Sequence, residues 1–264
     1  MSSGKFVNVS GSNLEELNLS REELDDLVEV DISRNSFQAL PPSLQNCVNI
    51  ECLKCSHNTI SISDEKTQED EIDFFKPQKE NKFELLHPED SIYSEDELRG
   101  ASSELESPVP PPRTFDFSKL TNLTWIDLSH NRIAWLPASF FSLNNVESLN
   151  LSHNLITSIP HTFKSDEKLR KLDLSWNSIT EAPHWLLNIL RCVRICLNGN
   201  PFVELNFPES FGNTCRRVRY LEMENTHIRN FPRALTSLLG KRSICITMRR
   251  TILVKIFVLF SLPT

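Results

Sequence analysis

Glycine is scarce in this chain, with 6 in 264 residues. There is no phosphate loop, no nucleophile elbow and no paired-carboxylate motif, so neither an enzyme nor a cofactor is expected. Cysteine is too irregular to build a disulfide frame. Its 7 copies are an odd number without framework spacing, and reduced thiols in the cytoplasm or nucleus are expected. The stretch Met1–Phe6 lacks an apolar run, so a secretory signal is not expected and the sequons at Asn8, Asn18, Asn122 and Asn150 carry no weight. The longest apolar run, Ile252–Leu262, is interrupted by Lys255 and falls short of the ~20 residues a bilayer span needs. A membrane partner is therefore not expected. An excess of positive charge is also missing: 28 Lys and Arg stand against 35 Asp and Glu, for a net charge of -7. That balance argues against a nucleic-acid partner.

The charge that is present is uneven. Between Asp64 and Ser107 there are 15 acidic and 5 basic residues, so this stretch is strongly acidic and the remainder is slightly basic. Residues 64–113 are also poor in aliphatic side chains, with Phe74-Phe75 and Leu85-Leu86 the clear exceptions. A segment of this kind buries too little apolar surface to offset its ordering entropy and is expected to be disordered. It contains Pro108, Pro111 and Arg113 in P-x-x-P-x-R spacing, a polyproline pattern of the kind SH3 domains bind. Ser94, Ser103 and Ser107 sit in contexts that kinases use, although a solvated spacer with chance motifs is the simpler account.

Repetition is the dominant signal. Leu123-Thr-Trp-Ile126-Asp-Leu128-Ser-His-Asn131-Arg-Ile133 recurs as Val146-Glu-Ser-Leu149-Asn-Leu151-Ser-His-Asn154-Leu-Ile156 and as Leu169-Arg-Lys-Leu172-Asp-Leu174-Ser-Trp-Asn177-Ser-Ile179. The period is 23, and the same ruler finds Ile195, Leu197 and Asn200 downstream. Upstream it finds Leu53, Cys55 and Asn58, then Val30, Ile32 and Asn35, then Val7 and Val9 with Ser12 in the Asn place. An apolar residue followed by Pro recurs at Leu40-Pro41, Leu136-Pro137, Ile159-Pro160, Ala182-Pro183 and Phe231-Pro232, each with a bulky residue three places on. From Ile50 to Leu123 the gap is one period plus 50 residues, so the insert leaves the register intact. After Asn200 the spacing stretches to 26, giving Val218, Leu221 and Met223, with Thr226 in the Asn place. Ile244 and Ile246 are then expected on a last strand that keeps period 23.

The pattern resembles the leucine-rich-repeat family in its 23-residue intracellular form with an L-P corner, as in Ras-suppressor-like proteins, Scribble-like scaffolds and Roco-kinase repeats. The resemblance implies an α/β solenoid with short parallel strands on the concave face and irregular or short helical convex segments. The expected organisation is repeats at 4–63, the acidic insert at 64–113, repeats at 114–240, and a degenerate last repeat or cap with an apolar tail at 241–264. It further implies an adaptor or scaffold holding a protein partner, with a small GTPase or a kinase among the candidates. The alternative is the recognition region of a larger signalling enzyme: a Roco-type kinase, a repeat-bearing phosphatase or a ubiquitin ligase.

Strand geometry supplies the candidate residues. Residues two apart on a strand share a face, so inward Leu positions force their neighbours outward. The outward set proposed to meet the partner is Trp125, Asp127, Arg170, Lys171, Asp173, Arg194, Arg219 and Tyr220. Trp125, Lys171, Arg194 and Tyr220 are expected to form a diagonal strip. A structural ladder of Asn35, Asn58, Asn131, Asn154, Asn177 and Asn200 is expected where the chain leaves each strand, because an amide side chain offers both donor and acceptor. His57, His130 and His153 share one place in consecutive repeats and should be neighbours, though no metal site is expected there. Cys52 and Cys55 are expected on opposite sides of their strand, which forbids a shared zinc ion.

Overall fold

The computed structural model describes residues 4–62, 115–160, 162–165, 167–182, 185–186, 189, 191–202, 217–229, 235 and 245–248. Among these residues are nine strands: β1 (Lys5–Asn8), β2 (Leu27–Asp31), β3 (Cys52–Lys54), β4 (Trp125–Asp127), β5 (Ser148–Asn150), β6 (Lys171–Asp173), β7 (Arg194–Cys196), β8 (Tyr220–Glu222) and β9 (Cys245–Thr247). They form one sheet in strict sequence order. Neighbouring strands pair in parallel from β1 to β9. A sheet in which every strand neighbours its predecessor, in parallel, is a solenoid.

Each of the seven strands from β3 to β9 is only three residues long. The middle residue of each strand from β3 to β8 is buried, namely Leu53, Ile126, Leu149, Leu172, Ile195 and Leu221. One inward side chain per strand buries little by itself. Its stacked neighbours above and below complete a continuous core, so stability belongs to the array. The L-P corner works from the other wall: Leu44, Phe140, Phe163, Leu186 and Leu235, three residues past each corner proline, are all buried. Here the chain makes single helical turns. One is a 3-10 turn at Pro42–Asn46 with Pro41 before it, and another is a helix at Ala138–Phe141 preceded by Pro137. A proline just before or inside a first turn costs no hydrogen bond there. An earlier helix, Arg21–Asp25, starts with a capping box in which Ser20 and Glu23 exchange hydrogen bonds. Those bonds hold the Glu23 carboxyl below its ordinary pKa.

The long sequence gap between β3 and β4 leaves no gap in the sheet. Cys52 pairs with Trp125 and Lys54 with Asp127, and the Cys55 amide donates to the Asp127 carbonyl at 2.8 Å. The proline motif at Pro108, Pro111 and Arg113, the rest of 64–113, and most of 241–264 lie outside the described residues.

The last strand departs from expectation. Leu221 pairs with Ile246 and Met223 donates its amide to the Thr247 carbonyl, so the step from β8 to β9 is 25 residues rather than 23. Ile246 therefore occupies the middle position of its strand, two places from where the 23-residue ruler puts it. At the opposite end, the pairing of β1 with β2 slips by one residue between Lys5 and Phe6. Both exceptions fall on end strands, where a neighbour exists on one side and the register is held less tightly.

Candidate protein-binding face and its two edges

Three consecutive residues dominate the edge where chains leave the strands. Asn58 donates to the Cys55 carbonyl of its own repeat and to the Ile32 carbonyl of the previous one, both at 3.0 Å, and accepts from the Phe37 amide at 3.1 Å. Asn131, Asn154, Asn177 and Asn200 repeat this arrangement one turn at a time. Asn35 begins it by accepting from the Leu14 amide. Thr226, in the next place, has one hydroxyl proton and, among the described residues, reaches its own Met223 carbonyl alone, at 3.1 Å, where the asparagine ladder ends.

The residue before each of these asparagines has a left-handed backbone. Arg34, His57, His130, His153, Trp176 and Asn225 have φ between 52° and 56°, and Gly199 has φ of 67°. Such a conformation costs a side-chain-bearing residue roughly 1–2 kcal/mol. The side chains offset part of that cost by stacking. The rings of His57 and His130 lie 4.0 Å apart, those of His130 and His153 4.1 Å, and that of His153 lies 5.8 Å from Trp176. Burial and the two flanking imidazoles depress the pKa of His130, partly opposed by Asp127. Parallel rings present faces to one another, whereas a metal is bound through a nitrogen lone pair in the ring plane. Among the described residues no group of three or more His, Cys, Asp or Glu side chains is placed to hold a metal ion.

The outward face of the sheet carries two files. In the first, pairing puts Trp125 beside Ser148, Lys171, Arg194 and Tyr220 in direct succession. This is a straight file across the strands and not the expected diagonal, because every member occupies the first place of its strand. Trp125 is 46% exposed and Tyr220 49%. The Lys171 ammonium lies 5.7 Å from the Trp125 ring centre, reaching across Ser148. Arg194 forms an ion pair with Glu222 at 2.7 Å.

The second file contains Asp127 and Asp173, and their carboxylates are engaged internally. Asp127 accepts from the backbone amide and hydroxyl of Ser129 at 3.0 and 2.7 Å, and Asp173 treats Ser175 in the same way at 2.9 and 2.6 Å. Asn150 does so with Ser152. These side chains shape the turn out of the strand.

Arg170 and Arg219 stand one residue before β6 and β8, on the strand-entry edge, where Arg170 pairs with Glu147 at 3.0 Å. Here Asn49, Asn122 and Asn145 each donate to a backbone carbonyl of the preceding repeat, at 2.8, 3.0 and 2.7 Å. The next members of the row are Lys168, Arg191 and Arg217, all exposed. Sequence reasoning passed over these three, together with the 48% exposed Trp176. The signal that finds them is a break in a repeated asparagine three places before the strand.

Cys47, Cys55 and Cys192 are core side chains, while Cys196 is buried in the outward file against Asn198 and Glu222. Burial pushes the Cys47 thiol up to about 11 and the Cys196 thiol to about 12, and raises that of fully buried Cys55 well above its ordinary value. Cys52 is half-exposed on the other side of the strand from Cys55.

Comparison with known proteins agrees with this architecture. The leucine rich repeat family model matches residues 121–179. No curated protein matches the chain's sequence. Among solved structures, internalin C2 from Listeria monocytogenes aligns with a TM-score of 0.59 at 14% identity, over 92% of this chain and 80% of its own. A TDR receptor aligns with a TM-score of 0.65 at 17% identity, over 93% of this chain and 34% of its own. A plant peptide hormone receptor, solved in complex with RGF2, aligns with a TM-score of 0.58 at 18% identity, over 87% of this chain and 29% of its own. The chain thus spans about a third of these receptor chains. No helix among the described residues is long and apolar enough to cross a membrane. The repeat motif, the in-order parallel sheet and the neighbours agree on a leucine-rich-repeat solenoid, a fold that supports protein binding.

Proposed function

We propose that this chain is an adaptor that holds a protein partner on the outward face of its sheet, in intracellular signalling. The observation that carries the reading is the file from Trp125 to Tyr220. Two large aromatics, each about half exposed, flank two cations on adjacent strands, and nothing in the repeat itself requires an aromatic there. Trp, Tyr and Arg are the residues on which binding energy concentrates. A cytoplasmic location is supported by cysteines that serve as core side chains, with Cys47 and Cys55 buried on separate walls.

Proximity labelling of the tagged chain in cells identifies a partner, and purified variants then test the face. Trp125→Ala is expected to weaken that complex by about 2 kcal/mol or more, the usual size for a buried hot-spot aromatic. Its melting temperature should stay near the parent's, because the ring is exposed. A complex that is indifferent to both Trp125→Ala and Tyr220→Ala would rule out this face.

A further inference from the structure

We infer that the strand-entry edge over β6, β7 and β8 is a docking site for a short run of carboxylates on the protein partner, presented as an extended segment. The inference rests on the face reading above and adds where the partner's charge must sit. On the first three members of this edge the row is amide, and each amide bonds the preceding repeat. From Lys168 onward that internal bond is given up for a cation, and Lys168 instead sets its ammonium against the Asn145 side-chain oxygen at 2.5 Å. The fold does not ask for these charges, since the same place is filled without them three times over.

Five cations therefore crowd one edge: Lys168, Arg170, Arg191, Arg217 and Arg219, all exposed. Arg170 is paired with Glu147. No carboxylate of the described residues pairs with Arg191, Arg217 or Arg219. The cluster borders a groove of about 450 Å³, walled by Lys168, Arg170 and Arg191 at one end and by Glu51 and Glu147 at the other.

This arrangement selects the ligand class. Three strands spaced ~4.8 Å apart set the cationic rows over a length of roughly 10 Å, which an extended peptide at ~3.3 Å per residue crosses in about three or four residues. Beyond that length Glu147 and then Glu51 meet the ligand. A long polyanion such as a nucleic acid would be repelled there, whereas a segment with acids at one end and lysines or neutral residues at the other matches both ends.

The test uses the full chain and a labelled peptide carrying about four consecutive glutamates followed by about three lysines. Its binding is followed by fluorescence anisotropy at ionic strengths of about 0.01 and 0.15 M, over which the screening length shrinks from about 30 to about 8 Å. Binding is expected to weaken with salt, and to fall about tenfold or more in an Arg191→Glu/Arg217→Glu variant that melts like the parent. Arg132→Glu, an exposed cation just past Asn131 on the exit edge, should leave it unchanged. A single-stranded oligonucleotide that binds as well as the peptide would overturn the inference, as would a double variant that binds the peptide like the parent. If the partner found by labelling is lost with Trp125→Ala but kept by the double variant, the face stands and the edge site is refuted. If it is kept with Trp125→Ala and Tyr220→Ala but lost in the double variant, the edge stands without the face.

Discussion

The two edges of the sheet follow the same 23-residue rhythm and have different fates. On the exit edge the asparagine recurs from Asn35 to Asn200 without a break, and from Asn58 onward each is buried. On the entry edge asparagine holds for Asn49, Asn122 and Asn145 and then gives way to Lys168, Arg191 and Arg217. The exit-edge amides serve four backbone groups each, in a place closed to water. The entry-edge amides serve one carbonyl each, near solvent. Where loss of a side chain strands buried groups, the repeat is uniform. Where water can replace it, the sequence is free to vary, and variation there is available for recognition.

The sharpest break of that comparison is a matched pair of alanines. Asn154→Ala strands the buried Ile133 amide and removes one of the two amide donors on each of the Leu128 and Leu151 carbonyls, which keep Asn131 and Asn177. At about 1–3 kcal/mol for the one buried amide left unsatisfied, with the lost carbonyl bonds added, the loss should be about 2–3 kcal/mol in denaturant unfolding. Asn145→Ala on the other edge removes its bonds to the Thr121 carbonyl and the Lys168 ammonium, both next to water, and should cost about 1 kcal/mol or less. Equal losses would mean that burial does not separate the edges.

A smaller effect is expected at Gly199. A Cβ there would come 2.6 Å from Cε3 of Trp176, and the backbone is left-handed at φ 67°. Gly199→Ala should destabilise by about 1–2 kcal/mol from the backbone alone, with more from the clash. Adding Trp176→Ala should recover the clash part only, which a double-mutant cycle resolves.

The smallest effect is a pH slope. His130 has its folded pKa lowered below the ordinary 6.5 by burial, His153 and His57, against a weaker pull from Asp127. The unfolded chain therefore takes up the proton first as pH falls. The contribution of the neutral ring is fully present above about 6.5. It is lost as pH drops through that value and on past the lowered folded pKa. Urea midpoints measured from pH 8 to pH 5 should decline in this window. His130→Asn, which tolerates the left-handed backbone, should flatten the decline; a slope unchanged by it would show that the stacked rings are not the source.

The repeat made most of this molecule legible without coordinates. Period, inward positions and the asparagine row follow from the sequence because each is one local solution copied many times, and a copied pattern averages out single-residue noise. The register across β3 and β4 was legible for the same reason, since a solenoid has only one way to continue. Other features depended on the third dimension. The step to β9 changed to 25 residues because an end strand answers to one neighbour. The outward file is straight because its members hold the same place in successive repeats, which the period already contained, whereas Asp127 and Asp173 turned toward Ser129 and Ser175 because rotamers and hydrogen bonds are settled after the backbone is placed. The union of Lys168, Arg191 and Arg217 with Arg170 and Arg219 was likewise a tertiary matter. In sequence these residues are scattered over three repeats, and only the stacking of β6, β7 and β8, strand on strand, gathers their charge on one edge.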